Sequence, residues 1–131
     1  MSQPLSKRIV AEGVGVKEKA QSQLPIACDM SVLSPAQRER HLATSREFLS
    51  YFKDKRELSN GYEFRLDGPD VIVKAAEFIS LEKLCCPFLG FALEVEPEGG
   101  KVWLRLTGRD GVKAFIREEM SGLLGSTIDW K

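Results

Sequence analysis

Residues 91–107 read FALEVEPEGGKVWLRLT, and this stretch decides the fold class. Apolar residues occupy every second position in FALEV (91–95) and again in VWLRL (102–106). The residues between the two runs, Pro-Glu-Gly-Gly at 97–100, are typical of a turn. Two alternating runs joined by a turn predict a β-hairpin that has one face in the core.

Before the hairpin, the spacing of apolar residues alternates between that of a strand and that of a helix. Residues 26–32 alternate apolar with polar or small side chains, which predicts a first strand. Ser34-Pro35 predicts the start of a helix that runs from Pro35 to about Phe52. Its predicted inward stripe, at spacings of three and four, is Leu42, Ser45, Phe48, Leu49 and Phe52. Residues 57–66 predict a second strand with a turn or bulge at Asn60-Gly61.

Two further helices complete the prediction. Asp70 can cap a second helix, which should end at Cys86 because Pro87 disfavours helical dihedrals at the residue before it. Asp110 can cap a final helix with an apolar stripe from Val112 onward. The predicted order is therefore β-α-β-α-β-β-α. It describes an α+β two-layer sandwich, with one mainly antiparallel sheet of about four strands and helices on one face.

The length and composition fit one folded unit. With 131 residues, 43% hydrophobic and 29% charged, the chain is long enough for a single core. Residues 1–24 are rich in Ser, Gln, Gly and Lys and show no sustained period, which predicts a loose N-terminal arm. We expect residues 25–131 to form a single α+β domain.

The balance of acidic and basic residues bears on which macromolecules the protein could bind. Nineteen basic and nineteen acidic residues give a net charge near zero, so we expect no nucleic-acid or anionic-membrane partner. No apolar run approaches the ~20 residues that span a bilayer, and residues 1–24 lack the hydrophobic region of a secretory signal, so we do not expect them to act as one. Three cysteines are too few for a disulfide framework, and the odd count predicts reduced thiols in the cytoplasm.

The adjacent pair Cys85-Cys86 carries the main chemical hypothesis. Neighbours on a regular helix point ~100° apart, so both thiols can face one site only where the helix unwinds, and Pro87 provides that break. Thiolates prefer soft atoms such as arsenic(III), mercury(II) or copper(I). Cys85, Cys86 and Cys28 are the candidate metal ligands, Cys28 being the third if its strand lies beside the second helix. The alternative is that the pair is simply buried as small apolar residues.

Two polar residues, Glu82 and His41, could act together with the thiols. Glu82 lies one turn before the pair and could exchange a proton with a thiol, or it could be a surface carboxylate paired with a lysine or arginine. His41 would complete a zinc site with the three cysteines, but the spacing lacks the usual Cys-x₂₋₄-Cys knuckle. Its charged neighbours favour a solvated helix face instead.

Residues 82–88 read EKLCCPF, a Glu-x-x-Cys-Cys-Pro-Phe motif that resembles a group of small, uncharacterised bacterial α+β proteins. These proteins share the motif, the hairpin after it and a Leu-Thr-Gly-x-x-Gly turn, here residues 106–111. The resemblance covers about residues 26–124, and the Cys-Cys-Pro-Phe block is its specific part. Members often have proline where this chain has Arg109, which bears on the turn and not on the thiols. The resemblance implies a bacterial α+β domain and no particular activity or cofactor.

Three functional hypotheses follow from these residues. The first is a protein that binds a soft metal, a metalloid or a thiol-reactive small molecule through the vicinal cysteines. The second is a non-catalytic interaction domain or homodimer that uses the exposed sheet face or the first helix, where residues 35–56 carry six basic and three acidic side chains. The third is a thiol-dependent enzyme, which would need a depressed thiol pKa.

Overall fold

The computed structural model describes residues 24–124 of the chain. A single 3-10 turn at Met30–Val32 comes first. It is followed by α1 (Pro35–Leu49), β1 (Phe52–Leu58), β2 (Gly61–Leu66), α2 (Val71–Cys85), β3 (Gly90–Val95), β4 (Val102–Thr107) and α3 (Val112–Leu124). No helix within this part of the chain is long and apolar enough to cross a membrane.

The four strands form one antiparallel sheet in the order β1-β2-β4-β3. Two hairpins meet along its centre, where β2 pairs with β4. Phe64 on β2 lies opposite Leu104 on β4, which in turn lies opposite Leu93 on β3. This apolar row faces the helices. The hairpin that the alternating pattern of residues 91–107 predicts is therefore present, and one of its faces lies against the core.

The helices cover one face of the sheet and enclose the core. α1 packs against α2, while α3 lies against β2 and β4. Phe48 on α1 is fully buried together with Phe52, Phe64 and Leu104 from the sheet. Burying one such side chain stabilises the fold by about 1.5 to 3 kcal/mol. The predicted α+β fold, with a four-stranded antiparallel sheet and helices on one side, is confirmed.

The opposite face of the sheet carries charged side chains. Glu63 on β2 pairs with Arg56 on β1 and with Arg105 on β4, and Arg105 also contacts Glu94 on β3. The guanidinium of Arg56 lies 4.0 Å from the ring centroid of Trp103. This ion-pair row crosses all four strands, so a partner on this face would meet charge rather than an apolar patch. The homodimer hypothesis stays a prediction.

The predicted first strand at residues 26–32 is wrong. The segment is irregular until the 3-10 turn, which the Asp29 side chain caps by accepting a hydrogen bond from the backbone N–H of Ser31. Such a local side-chain bond satisfies backbone groups that a strand would pair with a neighbour. The order is therefore α-β-β-α-β-β-α, and differs from the predicted one in its first half.

Two boundaries near α1 also differ from the sequence-based prediction. The helix ends at Leu49 rather than at about Phe52, because Phe52 pairs with Leu66 as the first residue of β1. Residues 57–66 form the end of β1, a tight turn and β2, so Asn60-Gly61 lies at a hairpin rather than inside one strand. A Cβ on Gly61 would overlap the backbone of Leu106, which explains glycine there.

The predicted N-terminal arm, residues 1–24, lies outside the described residues except for Leu24. The backbone carbonyl of Leu24 accepts a hydrogen bond from Arg109, in the turn before α3. The boundary between an arm and a single domain of residues 25–131 stays a prediction.

Candidate thiol site

The C-terminal end of α2 brings the adjacent cysteines to one place. The helix ends at Cys85, and Cys86 leaves the helical region with φ −126° and ψ 66°. Its N–H still donates to the carbonyl of Glu82 at 2.8 Å, so the last turn closes before the chain changes direction. Pro87 causes this break, because its ring disfavours helical dihedrals at the preceding residue. The sulfurs of Cys85 and Cys86 are consequently only 3.8 Å apart.

The segment before the 3-10 turn delivers the third cysteine to the same place. Asp29 donates its backbone N–H to the carbonyl of Cys85 at 2.7 Å, which ties the segment to the end of α2. Cys28 forms a disulfide with Cys86 across a Cα–Cα distance of 4.4 Å. All three cysteines of the chain therefore meet, although Cys28 lies in an irregular segment and not on the strand that the sequence predicts.

The disulfide corrects the expectation of reduced thiols. Cys28 and Cys86 are bonded, and Cys85 is the one free cysteine of the three. The sequence offered no basis for this pairing, since a bond between residues 58 positions apart depends on the tertiary path of residues 24–33. Ligation of a metal by Cys28, Cys85 and Cys86 stays a prediction.

Glu82 connects the thiols to a histidine. One carboxylate oxygen, Oε1, lies 2.7 Å from Nε2 of His41 and 3.8 Å from the sulfur of Cys85. The other oxygen, Oε2, lies 3.4 Å from the sulfur of Cys86. The alternative reading of Glu82, a surface carboxylate paired with a lysine or arginine, is therefore wrong.

His41 does not lie on a solvated helix face. Only 3% of its surface is exposed, whereas Leu42, a predicted core residue, is 54% exposed. The buried face of α1 is His41, Thr44 and Phe48, so the predicted stripe is right at Phe48 and one residue off at Leu42 and Ser45. Nδ1 of His41 is buried and makes no hydrogen bond within residues 24–124. Its position seven residues before Phe48, two turns away on the same face of the helix, was the signal that could have revealed it.

The surroundings of Cys85 keep its thiol protonated. Burial, and then the charge of the Glu82 carboxylate, raise the pKa of the Cys85 thiol to about 11. A thiol with a raised pKa is a poor nucleophile at neutral pH, since the thiolate is the reactive form. This direction is opposite to the one that a thiol-dependent enzyme using Cys85 would need.

An open cleft gives access to this cluster. We call it the donor cleft: it has a volume of about 440 Å³, and Cys28, His41, Glu82, Cys85 and Cys86 line it together with residues of α1 and α3. Cys28 is exposed and Glu82 is partly exposed, whereas Cys85 and Cys86 are almost fully buried. A ligand from solvent would therefore first meet Cys28 and Glu82.

The donor atoms fall into two overlapping sets within the described residues. Cys28, Glu82 and Cys86 offer one set, and His41, Glu82 and Cys85 the other, with the atoms of each set all within 4.8 Å of one another. Glu82 belongs to both, which places sulfur, oxygen and nitrogen donors around one point. Such a mixture suits a soft or borderline metal ion once the disulfide is reduced.

Comparisons with known proteins give no match: no family model, curated protein or solved structure is similar to this chain. The resemblance based on the Glu-x-x-Cys-Cys-Pro-Phe motif stays a prediction.

Proposed function

We propose that the protein, in its reduced state, binds a soft metal ion or metalloid through the sulfurs of Cys28, Cys85 and Cys86. The observation that carries the proposal is the convergence of the three sulfurs: Cys28 reaches Cys86 within bonding distance, and Cys85 lies 3.8 Å from Cys86. Three thiolates around one point are a donor set for arsenic(III), mercury(II) or copper(I).

The carboxylate and the imidazole support the same proposal. A metal cation turns a coordinating thiol into a thiolate, so a base is needed nearby to receive the proton. Glu82 contacts both Cys85 and Cys86, and His41 holds Glu82 in place at 2.7 Å. These two residues can accept protons from the thiols or complete the coordination of a borderline ion.

The redox state sets the capacity of the site. While Cys28 and Cys86 share a disulfide, only Cys85 offers a thiol, and one sulfur does not make a chelate. Reduction supplies the other two. The proposed binding therefore belongs to the dithiol form, and oxidation of Cys28 and Cys86 closes the site.

Titration of reduced protein with arsenite tests the proposal. Native mass spectrometry should show one arsenic per chain with three protons lost from the thiols. We expect Cys28→Ser, Cys85→Ser and Cys86→Ser each to weaken binding by more than the 10- to 100-fold typical of outer-shell partners. Ser45→Ala is the matched control, since Ser45 lines the donor cleft without a sulfur. Unchanged arsenite binding by the Cys85→Ser, Cys86→Ser double variant would refute the proposal.

Thiol–disulfide exchange is a second candidate, favoured by the exposed position of Cys28 in the disulfide. An external thiolate would attack the sulfur of Cys28, forming a mixed disulfide while Cys86 leaves as a thiolate. A second external thiol would then release Cys28 and leave both protein cysteines reduced. Equilibration in glutathione buffers tests this second candidate: a reduction potential below about −300 mV marks a structural bond and excludes exchange with glutathione.

A further inference from the structure

A second, smaller cavity opens beside the donor cleft. It has a volume of about 90 Å³, and most of its wall is apolar. We call it the apolar cavity. The side chains that line it and not the donor cleft include Phe78, Leu89, Phe91, Phe115, Ile116 and Met120.

The apolar cavity and the donor cleft adjoin each other. Cys28, Leu49 and Glu82 line both, so a sulfur and a carboxylate lie on the wall that the two spaces share. A soft atom bound to the sulfur of Cys28 would thus have polar donors on one side and an apolar space on the other. An inorganic ion has no group with which to fill that space.

From this arrangement we infer that the ligand is an organic derivative of trivalent arsenic or a similar soft element, carrying one short alkyl group. This inference rests on the proposed function and adds the ligand class. Because the alkyl group takes one of the three bonds of the trivalent atom, two of the three sulfurs hold it, those of Cys28 and Cys86, and Cys85 remains a thiol beside them. The alkyl group occupies the apolar cavity. Cavities of ~150 Å³ accommodate benzene, so a space of about 90 Å³ favours methyl or ethyl over phenyl.

The binding step is an exchange of ligands on arsenic. With monomethylarsonous acid, two arsenic–oxygen bonds break and two arsenic–sulfur bonds form, to Cys28 and to Cys86. Each departing hydroxide takes the proton of one thiol, which gives two water molecules. Arsenic stays trivalent and no electron is transferred. The disulfide must first be opened, for which a trialkylphosphine reductant serves in the assay.

The test compares monomethylarsonous acid with arsenite on the reduced full chain. Leu89→Phe fills the apolar cavity from a half-buried position that the donor cleft does not include. Burying one methyl group is worth about fourfold in affinity, so Leu89→Phe should weaken methylarsenic binding by about fourfold or more and leave arsenite unchanged. Leu84→Phe is the matched control: Leu84 is 45% exposed and lines neither space, so both affinities should stay at the wild-type value.

A measurement on the wild-type protein covers the case in which Leu89→Phe fails to fold. The ¹³C-labelled methyl group of the bound arsenical should show nuclear Overhauser contacts with the rings of Phe91 and Phe115. Contacts with neither ring, or an equal effect of Leu89→Phe on both ligands, would overturn the inference while arsenite binding stands. Failure of both ligands to bind would instead refute the proposed function.

Discussion

The thiol of Cys85 lies between a carboxylate and a disulfide, and both neighbours affect how it reacts. Because the raised pKa of about 11 favours the neutral thiol, little thiolate exists at pH 7. A raised pKa in the folded protein means that the neutral thiol of Cys85 contributes to the free energy of unfolding. This contribution is complete below the pKa of an unfolded cysteine, about 8.5, and is lost as the pH rises toward 11.

We predict that Glu82→Gln lowers the pKa of Cys85, since it removes a negative charge beside the thiol, although the larger effect of burial remains. The measurement is the pH profile of iodoacetamide labelling in the oxidised protein, where Cys85 is the one free thiol. The labelling midpoint of Glu82→Gln should lie below that of the wild type but above the pKa of an unfolded cysteine. Glu77→Gln, on the same helix, is the control and should leave the midpoint unchanged. A wild-type midpoint at or below 8.5 would contradict the prediction.

At the scale of the element, the end of α2 decides whether the sulfurs converge. The carbonyl of Cys85 accepts its hydrogen bond from Asp29 in another segment, instead of from the residue that would continue the helix. If the helix continued, a backbone N–H of its next turn would donate to that carbonyl, and the side chain of Cys86 would point about 100° away from that of Cys85. Pro87 is the residue that prevents this continuation.

Pro87→Ala should therefore weaken arsenite binding by reduced protein, by about tenfold or about 1.4 kcal/mol. The reason is that helical dihedrals become accessible at Cys86, so the three-sulfur geometry is populated less often. Isothermal titration measures the change. Pro97→Ala, in the turn between β3 and β4, is the control and should bind as the wild type does. An unchanged affinity for Pro87→Ala would mean that other contacts fix the position of Cys86.

The elements differ in how much of them the sequence determines. The hairpin of β3 and β4 is predictable because its alternation and its turn are local. The strand expected at residues 26–32 has a similar alternation, yet Asp29 caps a 3-10 turn there and the backbone pairs with the end of α2 instead. Alternation alone does not reveal a competing side-chain cap.

The candidate site was predictable only in its local part. Pro87 after Cys85-Cys86 is a sequence signal for convergence, and the two sulfurs do lie together. The bond from Cys28 to Cys86 and the contact from His41 to Glu82 join residues 58 and 41 positions apart. The first pair depends on the path of residues 24–33 and the second on how α1 packs against α2, and no local pattern encodes either.

For the whole molecule, the disulfide fastens the segment before α1 to the C-terminal end of α2. It closes a loop of 58 residues that contains α1, the first hairpin and α2. In the chain-entropy description, a bond closing a loop of this length stabilises the folded state by about 4 kcal/mol. The same bond occupies two of the three proposed ligands, so stability and binding capacity oppose each other.

We predict that reduction lowers the free energy of unfolding by about 2 to 4 kcal/mol, and that arsenite restores part of the loss. A ligand at 100 times its dissociation constant adds about 2.7 kcal/mol when it binds only the folded state. Urea unfolding of oxidised, reduced and arsenite-loaded protein measures the three values. Cys28→Ser should match the reduced protein, respond little to reductant and gain less from arsenite. Equal unfolding midpoints with and without reductant would mean that the loop constraint contributes nothing. In that case, opening the disulfide would expose the thiols to a ligand without loosening the fold.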